Sequence, residues 1–168
     1  KKIINAFLLA VILIIMSFSL TGCGKTNYLY KDADKYIAGG AELNEDISKN
    51  ILNVEIDWIN GNTEITFHDK NTFLFSEESN RALDEALSLH YFVDDNTLKI
   101  KFVKSGSFNL NNLNKNLELF VPESLELSDL NINTVSANIS VKGISARNLK
   151  AESISGEIGI FDSNIFND

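Results

Sequence analysis

One cysteine, one proline and two histidines occur in the 168 residues. A lone cysteine excludes an intrachain disulfide, so the fold must be held by a buried core. His68 and His90, without a second cysteine, fall short of a zinc ligand set, and both read as solvated strand residues. No Gly-x-Ser-x-Gly nucleophile elbow is present. A Ser-His-Asp triad meets only in space and leaves no such linear trace. Basic residues are also in short supply, 15 against 23 acidic ones, for a net charge of −8. Nucleic-acid binding rests on a basic face, and none is visible, so no nucleic-acid partner is expected.

The N-terminus is where the sequence is richest. Lys1-Lys2 precedes an apolar run from Ile3 to Leu20, interrupted only by Asn5, Ser17 and Ser19. A cationic start, an apolar core and small residues form the layout of a secretory signal. Leu20-Thr21-Gly22-Cys23 closes the run and resembles the lipobox of bacterial lipoproteins. There the cysteine thiol takes a diacylglycerol through a thioether, and the preceding peptide bond is cut. Small residues such as Thr21 and Gly22 let that bond enter a narrow peptidase site. Residues 1–22 are therefore expected to be a signal peptide, with Cys23 lipidated and the protein held on the extracytoplasmic face of the cell membrane. Two acyl chains anchor stably where one is marginal. An uncleaved spanning helix is the competing reading, but eighteen apolar residues lie near the lower length limit. No cofactor is expected beyond that covalent lipid. Gly22-Cys23-Gly24-Lys25-Thr26 imitates the end of a phosphate-binding loop. The earlier glycine is missing, since position 19 is Ser, and the strand and helix contexts are wrong; no nucleotide is expected. Cleavage leaves 146 residues with all 23 acids and 13 bases, a net charge of −10.

Residues 23–50 read as a lipidated linker with a first short strand. Positions 24 to about 35 form a polar tether that includes Tyr28 and Tyr30; Tyr36-Ile37-Ala38 is the strand, ended by Gly39-Gly40. From Ile51 the apolar period becomes two. Val54, Ile56 and Trp58 alternate with Asn53, Glu55 and Asp57, and Ile65 and Phe67 alternate with Glu64, Thr66 and His68. Asn60-Gly61 between these runs is the strongest short hairpin signal, so 51–59 and 63–68 are expected to pair as a hairpin. Thr72–Ser76 reads as a third strand and Arg81–Leu89 as one or two helical turns. His90–Val93 and Thr97–Val103 form a second hairpin about Asp94-Asp95-Asn96. Leu98, Ile100 and Phe102 face in; Lys99, Lys101 and Lys104 lie outside and read as solubilising charge. The Asp-Asp-Asn turn lacks the graded ligands and distal Glu of a calcium loop. Ser105–Asn116 is an asparagine-rich loop, and Leu117–Val121 is a strand ended by Pro122. Residues 51–122 thus read as a β-hairpin module.

The remainder, 123–168, differs. Leu130–Val141 aligns with Leu149–Ile160 at an offset of 19 residues: Val135 falls on Ile154, Ser136 on Ser155, Ile139 on Ile158 and Val141 on Ile160. Fixed-period similarity marks a repeat architecture. Each unit holds two short strands about a small-residue bend, Ser136-Ala137 or Ser155-Gly156. Stacked about 4.8 Å apart, such coils bury one continuous apolar column. The fold class is therefore all-β: antiparallel hairpins leading into a β-solenoid with roughly 19-residue coils, preceded by an apolar signal-peptide helix. A solenoid needs about three repeats and a cap. Only two are visible, so further coils are expected past Asp168.

Ile56–Ile65, Asn96–Ile100, and the Val135-Ser136-Ala137-Asn138-Ile139 and Ile154-Ser155-Gly156-Glu157-Ile158 phrases resemble the bacterial "putative adhesin" domain of unknown function. Its recurring phrase is roughly V-S-G-D-I, which the second repeat fits closely and the first fits with Ala137 in place of Gly. The resemblance spans about residues 36–168. It implies an all-β head ending in a solenoid, a cell-envelope or envelope-stress setting, and no catalytic residues to carry over.

The sequence therefore points to non-catalytic binding or adhesion, with a cell-wall, host-surface or envelope protein partner, or to an envelope-stress accessory. A polysaccharide-active solenoid enzyme is the main alternative; it needs clustered carboxylates. At a spacing of 19, Asp129 meets Asn148 and Glu157 meets Asn138, so no carboxylate stacks on another. A purely architectural envelope lipoprotein is the third reading. Trp58 and the phenylalanines fall on the inward phase and read as core rather than as a sugar platform.

Overall fold

The structure, a computed structural model, describes residues 28–108 and 110–166. Strands β1 (Ile37–Ala38), β2 (Ala41–Glu42), β3 (Asn53–His68), β4 (Leu74–Ser79), β5 (His90–Asp94), β6 (Thr97–Lys101), β7 (Lys115–Pro122), β8 (Leu127–Lys142), β9 (Ser145–Ser153), β10 (Ile158–Phe161) and β11 (Asn164–Ile165) join through one pairing network. A single α-helical turn, α1 (Glu45–Ser48), begins where the Asn44 side chain accepts the Ile47 N–H at 2.9 Å, an N-cap interaction. Arg81–Leu89, expected as helix, forms turns instead. Asp84 folds that segment back locally: its carboxylate accepts the Leu87 N–H and its carbonyl accepts from Ser88, the competition with helix that Asp side chains offer.

The molecule is a β-solenoid, and its coils begin earlier than the repeat in the sequence. β8 pairs in parallel with β9 and β10 at the expected offset of 19, Leu130 on Leu149 and Ile139 on Ile158. β11 opens the next layer on Ser145 and Ala146. On its other side β8 pairs in parallel with β3 along nearly its whole length, Val54 on Leu130 and Ile65 on Val141. β3 in turn carries a coil made of two separate strands: β6 on its first half (Val54 on Leu98) and β7 on its second (Thr63 on Leu117). The strands on either side of residue 122 thus share one stack.

This overturns the hairpin expected at 51–68. β3 is one strand, and Asn60-Gly61 is the corner where it passes from a first sheet to a second. A two-residue hairpin turn would require the halves to pair with each other, yet each half finds parallel partners above and below. The corner stacks on those that the repeat revealed, Asn60-Gly61 on Ser136-Ala137, and then on Ser155-Gly156. At each corner two successive residues point outward, as in a β-bulge. The inward phase therefore shifts from Val54, Ile56 and Trp58 to Thr63 and Ile65. Inside, apolar columns run through the layers: Ile100, Ile56, Ile132 and Ala151 on one wall, Leu119, Ile65 and Val141 on the other, with Ile160 next in register but exposed. Val135 and Ile154, matched in the sequence as part of the buried column, do stack, but on the outside of the corner.

Asparagines tie the corners together. Asn116 Oδ1 accepts from the Asn62 backbone N–H at 3.1 Å and from Asn62 Nδ2 at 3.0 Å. Asn62 Oδ1 accepts from Asn138 Nδ2 at 3.2 Å, and Asn138 Oδ1 accepts the Glu157 N–H at 3.0 Å. Asn62→Ala removes the middle rung, and at roughly 0.5–1.5 kcal/mol net per hydrogen bond it should cost about 1–2 kcal/mol in chemical denaturation.

The far end of the stack is antiparallel. β5 pairs with β6 and β1 with β5, extending the first sheet; β4 pairs with β7 and β2 with β4, extending the second. The second hairpin expected in the sequence is β5–β6, and Asp95 takes φ 53° at its turn.

Candidate functional site

The outer face of the first sheet gathers the most chemically varied side chains. In register across the coils run Lys99, Glu55, Asn131 and Lys150, and beside them Lys101, Asp57, Asn133 and Glu152. Lys101 is ion-paired with Asp57, whose other oxygen accepts from Asn133 Nδ2 at 3.1 Å. Lys99 meets Asp94 at 2.7 Å, and Lys104 meets Glu85 at 3.1 Å. The Lys99 ammonium, hydrogen-bonded to Asp94, holds that carboxyl below its usual range and is itself raised. Of the three lysines read as solubilising charge, Lys104 is exposed and Lys99 half-buried, whereas Lys101 is buried against Asp57; each has an acidic partner.

Aromatic side chains from the N-terminal segment lie across this face. Ring centroids step from Tyr28 to Tyr30 at 5.6 Å, to Tyr36 at 4.8 Å and to Phe92 of β5 at 5.6 Å. Lys35 sits 5.5 Å from the Phe92 ring and Lys101 5.8 Å from the Tyr30 ring, within cation–π range. Burial, with nearby tyrosines and carboxylates, pushes the Tyr28 and Tyr36 hydroxyls well above their ordinary range. The Tyr30 hydroxyl is buried and finds no hydrogen-bond partner among the described residues. An unmet buried hydroxyl costs about 1–3 kcal/mol. Grooves flank Tyr30. One of about 280 Å³ is lined by Tyr36, Glu55, Phe92, Lys99 and Lys101. The other, of about 230 Å³, is lined by Leu29, Asp57, Ile59, Asn133 and Val135.

The tether expected over 24–35 is thereby shortened. Gly106 N–H donates to Tyr28 O at 2.6 Å, Tyr30 N–H donates to Ser105 Oγ at 3.1 Å, and Tyr28 Oη donates to Asp57 O at 3.3 Å. The chain is strapped to the body from Tyr28 onward. Leu20, Thr21, Gly22 and Cys23 lie outside the described residues. Among the described residues no helix is long and apolar enough to cross a membrane.

On the second sheet Glu64 stands in register with Glu118, and Glu78 joins them around a depression of about 240 Å³. This corrects the expectation that no carboxylate stacks on another. That expectation used only the 19-residue offset, whereas this pair spans the coils built from β3 and β7. Lys142 meets Glu64 at 2.6 Å. No group of three or more His, Cys, Asp or Glu among the described residues is placed to hold a metal ion.

The histidines part company. His68 is half-buried, with Nε2 2.6 Å from Thr72 O. His90, read as solvated, is buried with Nδ1 3.0 Å from Ser88 O. Burial holds its imidazole below the usual 6.5. As the pH falls through 6.5 the unfolded chain takes up this proton before the folded one does, so stability drops there. Denaturation midpoints measured from pH 7 to 5 should fall, and His90→Leu should flatten the slope. Trp58 is core, as its phase indicated: it is buried against Phe102 with ring centroids 4.9 Å apart.

The sequence reading missed Tyr30, Tyr36 and Phe92 as a group. The only linear trace was Tyr28-x-Tyr30, an alternation inside a segment read as tether.

A solved structure titled as a "putative cell adhesion protein" from Clostridium sporogenes ATCC 15579 is similar at 14% identity and TM-score 0.40, over 73% of this chain. The chain spans 58% of that protein's length. No curated protein matches the sequence. The family model of Toastrack DUF4097 matches residues 45–167, from α1 through the last coil. That span takes in β3 to β11, and the chain belongs to the Toastrack DUF4097 family.

Proposed function

We propose that this chain is the body of a lipoprotein, anchored through Cys23 on the extracytoplasmic face of the cell membrane. On this reading it binds a cell-wall, host-surface or envelope component without catalysis, directly or as part of an envelope-stress system. The observation that carries the binding reading is the aromatic row Tyr28, Tyr30, Tyr36 and Phe92, laid beside paired charges of both signs on a regular outer face. Aromatic rings supply large contact area at low entropic cost, and fixed charges supply direction. The unmet Tyr30 hydroxyl is a further polar group for a ligand to satisfy.

Binding of the purified chain to cell-wall preparations and envelope extracts is the test. Tyr36→Ala with Phe92→Ala should weaken retention at least tenfold, on the scale of about 1.4 kcal/mol, with the thermal transition retained. Unchanged retention would sink the site. Cys23→Ser should abolish acyl labelling and membrane retention; a variant that stays membrane-bound and uncleaved would favour a helix anchor instead. A hydrolytic reading draws on Glu64 and Glu118. It requires release of new reducing ends from polysaccharide, lost on Glu118→Gln.

A further inference from the structure

The corner between the sheets carries an apolar ridge on its outside. Leu29, Ile59 and Val135 line one groove. Ile59, Val135 and Ile154 occupy the same corner position in successive coils: Trp58 is in register with Thr134 and Asn60 with Ser136, while Ser155 N–H donates to Val135 O. Leu29 is 73% exposed, Val135 46% and Ile154 82%. Neighbouring strands lie about 4.8 Å apart, so the ridge runs along the solenoid axis. In a protein this acidic, the ridge is flanked by weak or compensated charge. One side is the column Asn60, Ser136 and Ser155. The other is Asp57, Asn133 and Glu152, whose acids meet Lys101 and, at 3.1 Å, Lys150.

We propose that this ridge lies in the lipid bilayer interface and sets the solenoid axis along the membrane plane. The proposal rests on lipidation at Cys23. Four residues lie between Cys23 and Tyr28, and Tyr28 is strapped to the body beside Leu29, which is six positions on from Cys23. A fully extended stretch of six residues reaches at most about 22 Å. A lipid on Cys23 therefore holds Leu29, and the end of the ridge that it forms, within that distance of the acyl chains. Apolar side chains that close to the bilayer lose exposed area by dipping into the headgroup boundary, as interfacial amphipathic surfaces do. The charge pattern offers no unpaired acid along the ridge itself to oppose this on an anionic membrane.

The test uses the full lipidated chain with a single added thiol, Ile154→Cys, carrying an environment-sensitive fluorophore. Glu118→Cys, exposed on the second sheet, is the reference. The chains are reconstituted into vesicles of phosphatidylglycerol and phosphatidylethanolamine. The label at 154 is expected to shift to the blue and to be quenched by nitroxide-bearing lipid, while the label at 118 responds only to aqueous iodide. Equal iodide quenching at both positions would overturn the proposal. So would protection at 154 that appears only when envelope proteins are added, since the ridge would then be a protein-docking surface. Intact mass separates the two failures: a chain without diacylglycerol overturns the anchor and the ridge together, and a lipidated chain with a water-exposed 154 overturns the ridge alone.

Discussion

Gly61→Ala is expected to remove about 3 kcal/mol or more of folding stability, read as a shifted denaturation midpoint. Two independent penalties add. Gly61 takes φ +112°, a region that side chains reach at a cost on the order of 1–3 kcal/mol. A Cβ there would also lie 2.1 Å from Lys115 O, a backbone atom fixed in β7 that cannot swing aside. Core overpacking adds roughly another 1–3 kcal/mol. Against a typical domain stability of about 5–15 kcal/mol, the sum is a large fraction. Gly106→Ala isolates the first penalty, since Gly106 has φ +85° and nothing within 4 Å of its Cβ position. It should cost no more than the strain alone. If both variants lost equally little, the close coil-to-coil approach at the corner would not be what demands glycine. Gly156→Ala tests the same corner elsewhere: its Cβ would lie 2.0 Å from Ala137 O.

The same glycine shows why the sequence was legible in part. Period-two alternation located the two halves of β3, the β5–β6 hairpin and β7, because inward phase follows directly from the pleat, and the fixed offset located the 19-residue coils. It did not reveal partners. Asn-Gly serves a hairpin and a solenoid corner equally well, and the choice lies with strands far away in the chain. The coil of β6 and β7 escaped detection because the loop between Phe102 and Leu113 splits it, so no fixed offset links it to β3. The outward place of Val135 and Ile154 escaped the repeat alignment for a related reason: the phase shift at each corner turns two successive residues outward, and a strict alternation rule has no place for it. The aromatic row was invisible because it is assembled from the N-terminal segment and β5, with only Tyr28 and Tyr30 close in sequence. Buried His90 and Lys115 were likewise hidden, since neither residue type announces burial.

Lys115→Met is expected to destabilise the chain by about 3–5 kcal/mol, and adding Glu77→Gln to it should restore most of that loss. Lys115 is fully buried at the antiparallel end of the solenoid. Its Nζ donates to Leu87 O at 2.8 Å and to Phe102 O, meets Glu77 Oε2 at 2.6 Å, and lies 4.5 Å from the Phe102 ring and 5.1 Å from the Trp58 ring. Glu77 Oε1 accepts the Leu89 N–H at 2.7 Å, and Trp58 Nε1 donates to Lys115 O at 2.8 Å. This cluster pins β4, β7 and the 87–89 segment together beneath the Gly61 corner. Removing one partner leaves a buried charge uncompensated, which costs about 3–5 kcal/mol, whereas neutralising both is often near neutral. Glutamine preserves the acceptor for Leu89, so beyond the ion pair the double variant loses only the Lys115 donor to the Leu87 and Phe102 carbonyls. Burial pushes the Lys115 ammonium down to about 8 from 10.5, against the opposing pull of Glu77. Between those values the unfolded chain holds a proton that the folded chain has released, so Lys115 makes stability rise with pH from about 8 to 10.5. Tyr28 and Tyr36, raised by burial, act oppositely above about 10, but they are present in both proteins and cancel in the difference. The stability gap between wild type and Lys115→Met should therefore change across that window. Parallel curves would mean that desolvation does not govern this lysine, and that the Glu77 ion pair alone sets its charge.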